Sequence, residues 1–280
     1  IWAVDSRFRL ITMNKKFENE YAASFKKHLV IGENPFDVFP DNEKKEWEAL
    51  TSEALNGAKS SFEYRFEWPD KVRFYEISAN RMPGIKGITF FARDITEKKE
   101  LQNAIKKHDD GIKRLYDAAV QIQHQKSRFR KALEIGCRFF GTSLGVIGKI
   151  DGDVFELVSS FSDTGGLKPG SRYPLNETYS SILMEEPGIA TIENISTSPY
   201  AGSAFHTKFG FLSFIGIRLY IDNKLYGTLN FLGKEIRKSA YTPTEVSFLR
   251  SIGQWMEYDL KMAQYKADLI NAKNSAEEPP

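Results

Sequence analysis

The side chains that could do chemistry are few and scattered. Four histidines, His28, His108, His124 and His206, stand far apart. None lies in an H-E-x-x-H pattern or beside a cysteine, so a zinc site has no support. The single cysteine, Cys137, excludes an intramolecular disulfide framework and any multi-cysteine metal centre. As a redox nucleophile it would have to be reached by solvent. Its setting, Ile135-Gly136-Cys137-Arg138-Phe139 on a helix that also carries Leu133 and Phe140, reads instead as a small buried apolar residue. Gly227 to Lys234 has the outline of a phosphate loop, but five residues separate its glycines where four belong. Glu235 also stands where Ser or Thr would bind magnesium, so that reading fails. No ATP-lid glycines of a kinase and no nucleotide-cyclase signature are present, and no metal or cofactor is expected.

The elements that would position a site fall into two sets. In the first hundred residues, short apolar runs at Trp2–Val4 and Leu10–Thr12 flank a turn at Asp5-Ser6-Arg7. Helical spacing follows over Phe17–Leu29 and Asn42–Leu55, with Gly32, Pro35 and Gly57 as punctuation. Phe62, Tyr64, Phe66 and Trp68 alternate with polar residues, a strict period of two. Pro69-Asp70 turns the chain into Val72–Ala79, and Ile88–Ala92 is a fifth strand. A second set begins near residue 127. A helix ends near Gly141, and Gly145–Ile150 and Val154–Phe161 flank the hairpin signal Asp151-Gly152-Asp153. A Gly- and Pro-rich loop covers Asp163–Gly170. Ile189–Ile192, Ser213–Ile221 and Leu225–Phe231 are strands, and Thr242-Pro243-Thr244-Glu245 opens a last helix whose apolar face runs from Leu249 to Ile270. The pattern predicts an α+β chain of two domains, each a central antiparallel sheet flanked by helices, joined and followed by long helices.

Between the two sets, Asp94 and Glu97 have the spacing of a capping box. A heptad seam follows: Leu101, Ile105, His108, Ile112, Leu115, Ala119, Ile122, Lys126, Phe129 and Leu133, with Gly111 as its expected weak point. It reads either as a dimerising coiled-coil linker or as an amphipathic helix packed on its own domain; its length and position favour the linker. The expected boundaries are 1–96, a helical linker 97–126, 127–258, and a C-terminal helix and tail 259–280.

Composition sets the outer limits. Thirty-nine Lys and Arg against 37 Asp and Glu leave a net charge of +2, which removes the usual argument for a nucleic-acid partner. Residues 97–130 carry nine basic against five acidic side chains, a solvated face around the seam. Hydrophobic residues at 41% suffice for packed cores. No apolar run approaches the ~20 residues of a membrane span, and no signal peptide is seen. The chain starts at Ile1 within a strand and is expected to be a fragment of a cytoplasmic protein.

Particular strings sharpen this. Ile1-Trp2-Ala3-Val4-Asp5, Asn14 with Phe17, Phe39-Pro40, Ala54-Leu55-Asn56-Gly57 and above all Arg93-Asp94-Ile95-Thr96-Glu97 resemble a PAS domain over the first hundred or so residues. Leu144-Gly145-Val146-Ile147, Leu175 with Thr178-Tyr179, Phe214-Ile215-Gly216, Tyr226-Gly227-Thr228-Leu229-Asn230-Phe231 and Tyr241-Thr242 resemble a GAF domain of bacterial sensor kinases. The tail from Asp268 to Glu278 is similar to the helix before the phosphoacceptor box of histidine kinases, though Pro279-Pro280 departs from it.

The resemblance implies a non-catalytic sensory module whose output domain is missing, a homodimer through its helices, and a small-molecule ligand of unknown identity. It places interior or pocket groups at Phe25, Trp47, Phe62, Phe66 and Phe74 in the first domain, and at Tyr179, Tyr200, His206, Phe209 and Asn230 in the second. For each of these, core packing is the competing role. Signal-relay helices would start at Asp94, Thr96 and Glu97, and at Thr242 and Glu245. Covalent bilin, flavin and haem are disfavoured, because the first hundred residues hold no cysteine, none lies near His206, and His28 follows Lys26 and Lys27. A cyclic nucleotide is disfavoured because Phe231 follows Asn230, Tyr241 replaces a Phe, and only Glu245 remains of an acidic pair. The alternatives are the sensory region of a cyclic-di-nucleotide enzyme or transcription regulator, and a methionine sulfoxide reductase using Cys137.

Overall fold

A computed structural model describes residues 1–57, 60–67, 72–122, 124–163, 167–185 and 188–277. Trp68, the Pro69-Asp70 turn, part of the Asp163–Gly170 loop and Pro279-Pro280 lie outside them. The chain falls into two compact units that divide between Asn103 and Ala104. Each is an antiparallel sheet flanked by helices, the α+β class expected.

In the first unit, β1 (Trp2–Asp5) and β2 (Leu10–Met13) precede α1 (Lys15–Phe25) and α2 (Asp41–Leu55), and β3 (Ser60–Glu67), β4 (Val72–Arg81) and β5 (Gly87–Asp94) follow. The sheet order is β2-β1-β5-β4-β3. Asn14 caps α1 by accepting from the Phe17 N–H at 3.0 Å. The helix stops at Phe25, short of the expected Leu29, because Lys26 takes a left-handed conformation at φ 50°. Phe62, Tyr64 and Phe66 all turn to the core, as their alternation requires. Aromatic rings dominate that core: Trp47 lies 5.3 Å from both Phe36 and Phe62, and Trp2 stacks between Phe17 and Phe90.

α3 (Thr96–Gln121) follows β5. The expected capping box does not close. Asp94 accepts from the N–H and hydroxyl of Thr96, at 2.9 and 2.6 Å, rather than from Glu97. Thr96 Oγ1 in turn accepts from the Phe74 N–H at 3.0 Å, and the Ile95 N–H donates to the Phe74 carbonyl. The start of α3 is thereby bonded to β4. Lys99 adds an ion pair to Glu63 on β3.

The second unit contains the rest of α3, then α4 (Gln125–Phe140), β6 (Leu144–Asp151), β7 (Val154–Ser162), β8 (Arg172–Pro174), α5 (Ile182–Glu185), β9 (Ile189–Ile192), α6 (Ala204–Phe209), β10 (Ser213–Ile221), β11 (Lys224–Gly233) and α7 (Pro243–Glu277). Its sheet runs β8-β7-β6-β11-β10-β9. The tight turn between β10 and β11 holds Asp222 and Asn223 at φ 49° and 61°, a type I′ geometry these side chains tolerate.

The heptad seam is not one continuous helix. The α-helix ends at Gln121 and α4 begins at Gln125, with His124 between them in extended conformation. Leu115 and Ala118 are buried in the core of the second unit, with Ile112 and Ile122 packed beside them, whereas Leu101 and Ile105 stay exposed. The lower half of the seam thus serves its own domain. Nor is Gly111 a break: α3 runs straight through it. A Cβ there would meet the Phe248 ring at 2.6 Å, so the missing side chain lets α3 approach α7. Lys107 fastens the same contact by donating to the Phe139 carbonyl in the last turn of α4, at 2.6 Å.

Two cores lie on opposite faces of this sheet. Leu229, Phe231, Ile215 and Leu219 face α4 and α7, while Leu144, Val146, Phe214 and Leu232 face α5, α6 and the intervening turns. Helix α7 is buried along Phe248, Leu249, Ile252, Met256 and Leu260. Beyond Leu260 the apolar face expected to continue is exposed at Tyr265, Leu269 and Ile270.

Candidate functional site

The second unit has a half-open cavity of about 50 Å³ on the sheet face away from α4 and α7. Its walls are Leu144 and Val146 of β6, Phe155 of β7, Tyr173 of β8, Leu232 of β11, and Phe209 and Phe211 around the end of α6. These are apolar. The polar exception is a cluster at Thr178, Ser180 and Asn230. Asn230 Nδ2 donates to Ser180 Oγ at 2.8 Å and to Thr228 Oγ1 at 3.2 Å, and the Thr228 hydroxyl donates to Ser180 at 2.9 Å. Asn230 is 2% exposed, and its Oδ1 has no hydrogen-bond partner among the described residues. An unpaired buried carbonyl costs about 1–3 kcal/mol.

Tyr179 builds the wall rather than the chemistry. Its hydroxyl donates to the Phe211 carbonyl at 3.2 Å and accepts from the Phe211 N–H at 3.0 Å. Burial pushes its pKa up to about 12, so it stays a neutral strut. At the rim, Lys208 of α6 pairs with Glu177 at 2.9 Å, joining α6 to the turn Leu175–Glu177.

Of the five residues the sequence singles out here, Tyr179, Phe209 and Asn230 meet at this cavity. Tyr200 lies at a separate groove beside β9 and donates to Glu185 at 3.0 Å. His206 bonds through Nδ1 to the Phe211 carbonyl, with Nε2 3.5 Å from Ser196; both residues support the wall from outside. The sequence reading does not include Ser180 and Thr178 among the site residues. Their signal was available, because Thr228 and Asn230 are polar residues two apart on an otherwise apolar strand and call for polar company on the same face.

In the first unit a cavity of about 60 Å³ lies between α1 and the sheet, lined by Trp2, Phe17, Tyr21, Phe25, Phe66 and Tyr75 among others. Phe25 and Phe66 therefore reach a cavity. Trp47 and Phe62 pack in the core behind it. Phe74 points to the other face of β4 from Tyr75 and Ile77, since neighbours on a strand alternate, and only its backbone takes part, at the root of α3.

The start of α7 closes as a full capping box. The Thr242 N–H and hydroxyl donate to Glu245 at 2.8 and 3.0 Å, and the Glu245 N–H donates to Thr242 Oγ1 at 3.2 Å. Arg237 pairs with Glu245 at 3.0 Å, donates to the Phe140 carbonyl at 3.2 Å and covers the Tyr241 ring at 3.9 Å. Further along, Arg128 of α4 pairs with Asp259 of α7.

Cys137 is 3% exposed in the core between α4 and the sheet, across the sheet from the cavity. Burial pushes its thiol up to about 12. Among the described residues no group of three His, Cys, Asp or Glu side chains could hold a metal. No helix among them is long and apolar enough to cross a membrane.

Residues 1–100 match the family model of the PAS fold. No curated protein matches the chain. Among solved structures it is similar to the GAF domain of a phosphoenolpyruvate-protein phosphotransferase from Coxiella burnetii, with a TM-score of 0.47 and 13% identity over 60% of this chain and 98% of that one. The chromophore-binding domain of an unusual bacteriophytochrome from R. palustris aligns over 95% of this chain and 93% of its own, with a TM-score of 0.47 and 13% identity. A free methionine-R-sulfoxide reductase from Neisseria meningitidis aligns over 59% and 93%, with a TM-score of 0.46 and 14% identity.

Proposed function

We propose that this chain is the sensory and relay part of a bacterial signalling protein, a PAS domain at 1–96 followed by a GAF domain at 127–258, acting in the cytoplasm on an output of the histidine-kinase type. In this reading the chain does no chemistry itself. A small molecule seats in the second unit, and the helices carry the change onward.

The observation that carries the reading is the two-faced construction of β11. Asn230 and Leu232 line the cavity, while Leu229 and Phe231, which alternate with them, pack on the helix side with α4 and α7. A ligand that moves Asn230 therefore moves the floor on which α7 rests. Close packing converts such shifts into discrete rearrangements rather than diffuse strain. In this proposal the exposed faces of α3 and α7 pair with a second copy.

The test is mass spectrometry of small molecules released from the purified chain, followed by thermal-shift titration of whatever is found. The released compound should raise the melting temperature of the parent chain and leave Asn230→Leu unmoved. A compound that stabilises both equally would remove this cavity from the mechanism.

The reductase alternative requires a reactive thiol at the cavity, and Cys137 lies on the other side of the sheet. Iodoacetamide at pH 8 should leave the folded protein unlabelled and modify Cys137 only in denaturant. The raised thiol pKa contributes stability that is present below the unfolded value of 9.0 and is lost as pH rises towards about 12. Fast labelling of the folded chain at pH 8 would restore the alternative.

A further inference from the structure

We infer that the cavity of the second unit takes a small organic carboxylate, a short hydrocarbon body held inside with its anionic head on the lysines at the rim. The inference rests on the reading of this cavity as a ligand site and adds the chemical class.

Among the described residues, no side chain lining the cavity carries a charge. An ionised group placed among Leu144, Val146, Phe155 and Leu232 would lose its hydration with nothing to replace it. The part of a ligand that enters must therefore be largely apolar. Its size is bounded as well, because about 50 Å³ is well below the roughly 150 Å³ of a cavity that takes benzene. A body of a few carbons fits, whereas a nucleotide or a bilin does not.

Charge is concentrated at the edge of the same cavity. Lys234 Nζ lies 2.6 Å from the Phe209 carbonyl oxygen and 4.0 Å from the centroid of the Phe211 ring. Lys208 Nζ lies 5.5 Å from the Phe209 ring and 6.0 Å from the Tyr173 ring. All three rings line the cavity. Glu177 answers Lys208, but Lys234 has no carboxylate within ion-pair distance among the described residues. One positive charge is left uncompensated at the edge of an apolar chamber. Both lysines are exposed, and their flexible stems let either ammonium swing to meet a carboxylate without moving the backbone. An anionic head would also compete with Glu177 for Lys208, loosening the link between α6 and the turn Leu175–Glu177. Entry of the ligand and release of that link are then the same event.

The test is calorimetric titration of the full chain with propanoate and with its neutral isostere propanamide, at low and high salt. The acid should bind about tenfold more tightly than the amide, as a charge-assisted contact at a partly dry rim predicts. The advantage should shrink at high salt. Lys208→Gln with Lys234→Gln, both exposed positions, should abolish the advantage while leaving the amide's affinity as in the parent. Equal binding of acid and amide, or an advantage untouched by the double variant, overturns the carboxylate and leaves the cavity standing as a site. Absence of binding by both probes overturns the carboxylate too, while the released-compound test with Asn230→Leu still decides the cavity on its own terms.

Discussion

Thr96 and Thr242 each open a long helix, and they do so in different ways. Thr242 closes its helix locally: its hydroxyl and N–H go to Glu245, Glu245 returns a bond, and Arg237 ties the pair to the last turn of α4. Thr96 turns away from its helix, giving its hydroxyl proton to Asp94 and accepting from the backbone of Phe74. One root is self-contained; the other is a joint with a strand. Loss of the first should loosen a helix end and a half-buried arginine together, whereas loss of the second should loosen only the seam between α3 and β4.

That contrast can be broken in a graded way. Glu245→Ala removes a cap and strands Arg237, so equilibrium denaturation should show a loss of about 3 kcal/mol. A loss below about 1 kcal/mol would mean that the root of α7 is not held by this network. Gly111→Ala gains helix propensity but drives a methyl group into the Phe248 ring, itself stacked on Phe139 at 3.8 Å. A net destabilisation of about 1–2 kcal/mol is expected in urea melts, and a stabilised variant would show that α3 can stand off from α7. Thr96→Val keeps shape and removes the hydroxyl, with an expected cost of about 1 kcal/mol. Faster hydrogen exchange at the Phe74 amide would accompany it, and an unchanged rate there would dissolve the joint.

The smallest effect concerns pH. Burial raises the Asp94 carboxyl, but the bonds from Thr96 and the Arg73 charge outweigh it and leave its pKa below 3.8. A lowered folded pKa gives stability that is present above 3.8 and is lost as pH falls through the folded value. Asp94→Asn should therefore flatten the acid limb of the stability profile by lowering the neutral plateau, while leaving the acid end close to that of the parent. A steep acid limb surviving in the variant would assign that limb to other carboxylates.

The two roots also show what is legible in a sequence. Asp94…Glu97 and Thr242…Glu245 have the same spacing, yet only the second forms a box, because a strand lies in bonding range of the first. The alternation of Phe62, Tyr64 and Phe66, the Asp151-Gly152-Asp153 hairpin and the Asp222-Asn223 turn are local devices, and the chain announces them. The three-residue β8 and the short α5 and α6 have too few residues to show a period, so the wall at Tyr173 and Phe211 is not legible, whereas the resemblance named Tyr179, Phe209 and Asn230. Gly111 failed as a break for a related reason. Helix propensity is a property of the segment, but the space Gly111 vacates is filled by Phe248, more than a hundred residues later.

Helix α7 has a mechanical consequence. It is 35 residues long, and its contact with the sheet and with α4 ends near Leu260. Lys261 adds an ion pair to Asp222 in the turn between β10 and β11 at 2.6 Å, and from 262 to 277 the helix runs on for about 24 Å at 1.5 Å per residue. A tilt of about 10° at the clamped end would sweep the far end through about 4 Å, close to the 5.4 Å pitch of one helical turn. In the proposed relay, the clamp between Glu245 and Asp259 would serve as a fulcrum, and the length of the arm would turn a small tilt at the sheet into a stroke of several ångströms at its far end.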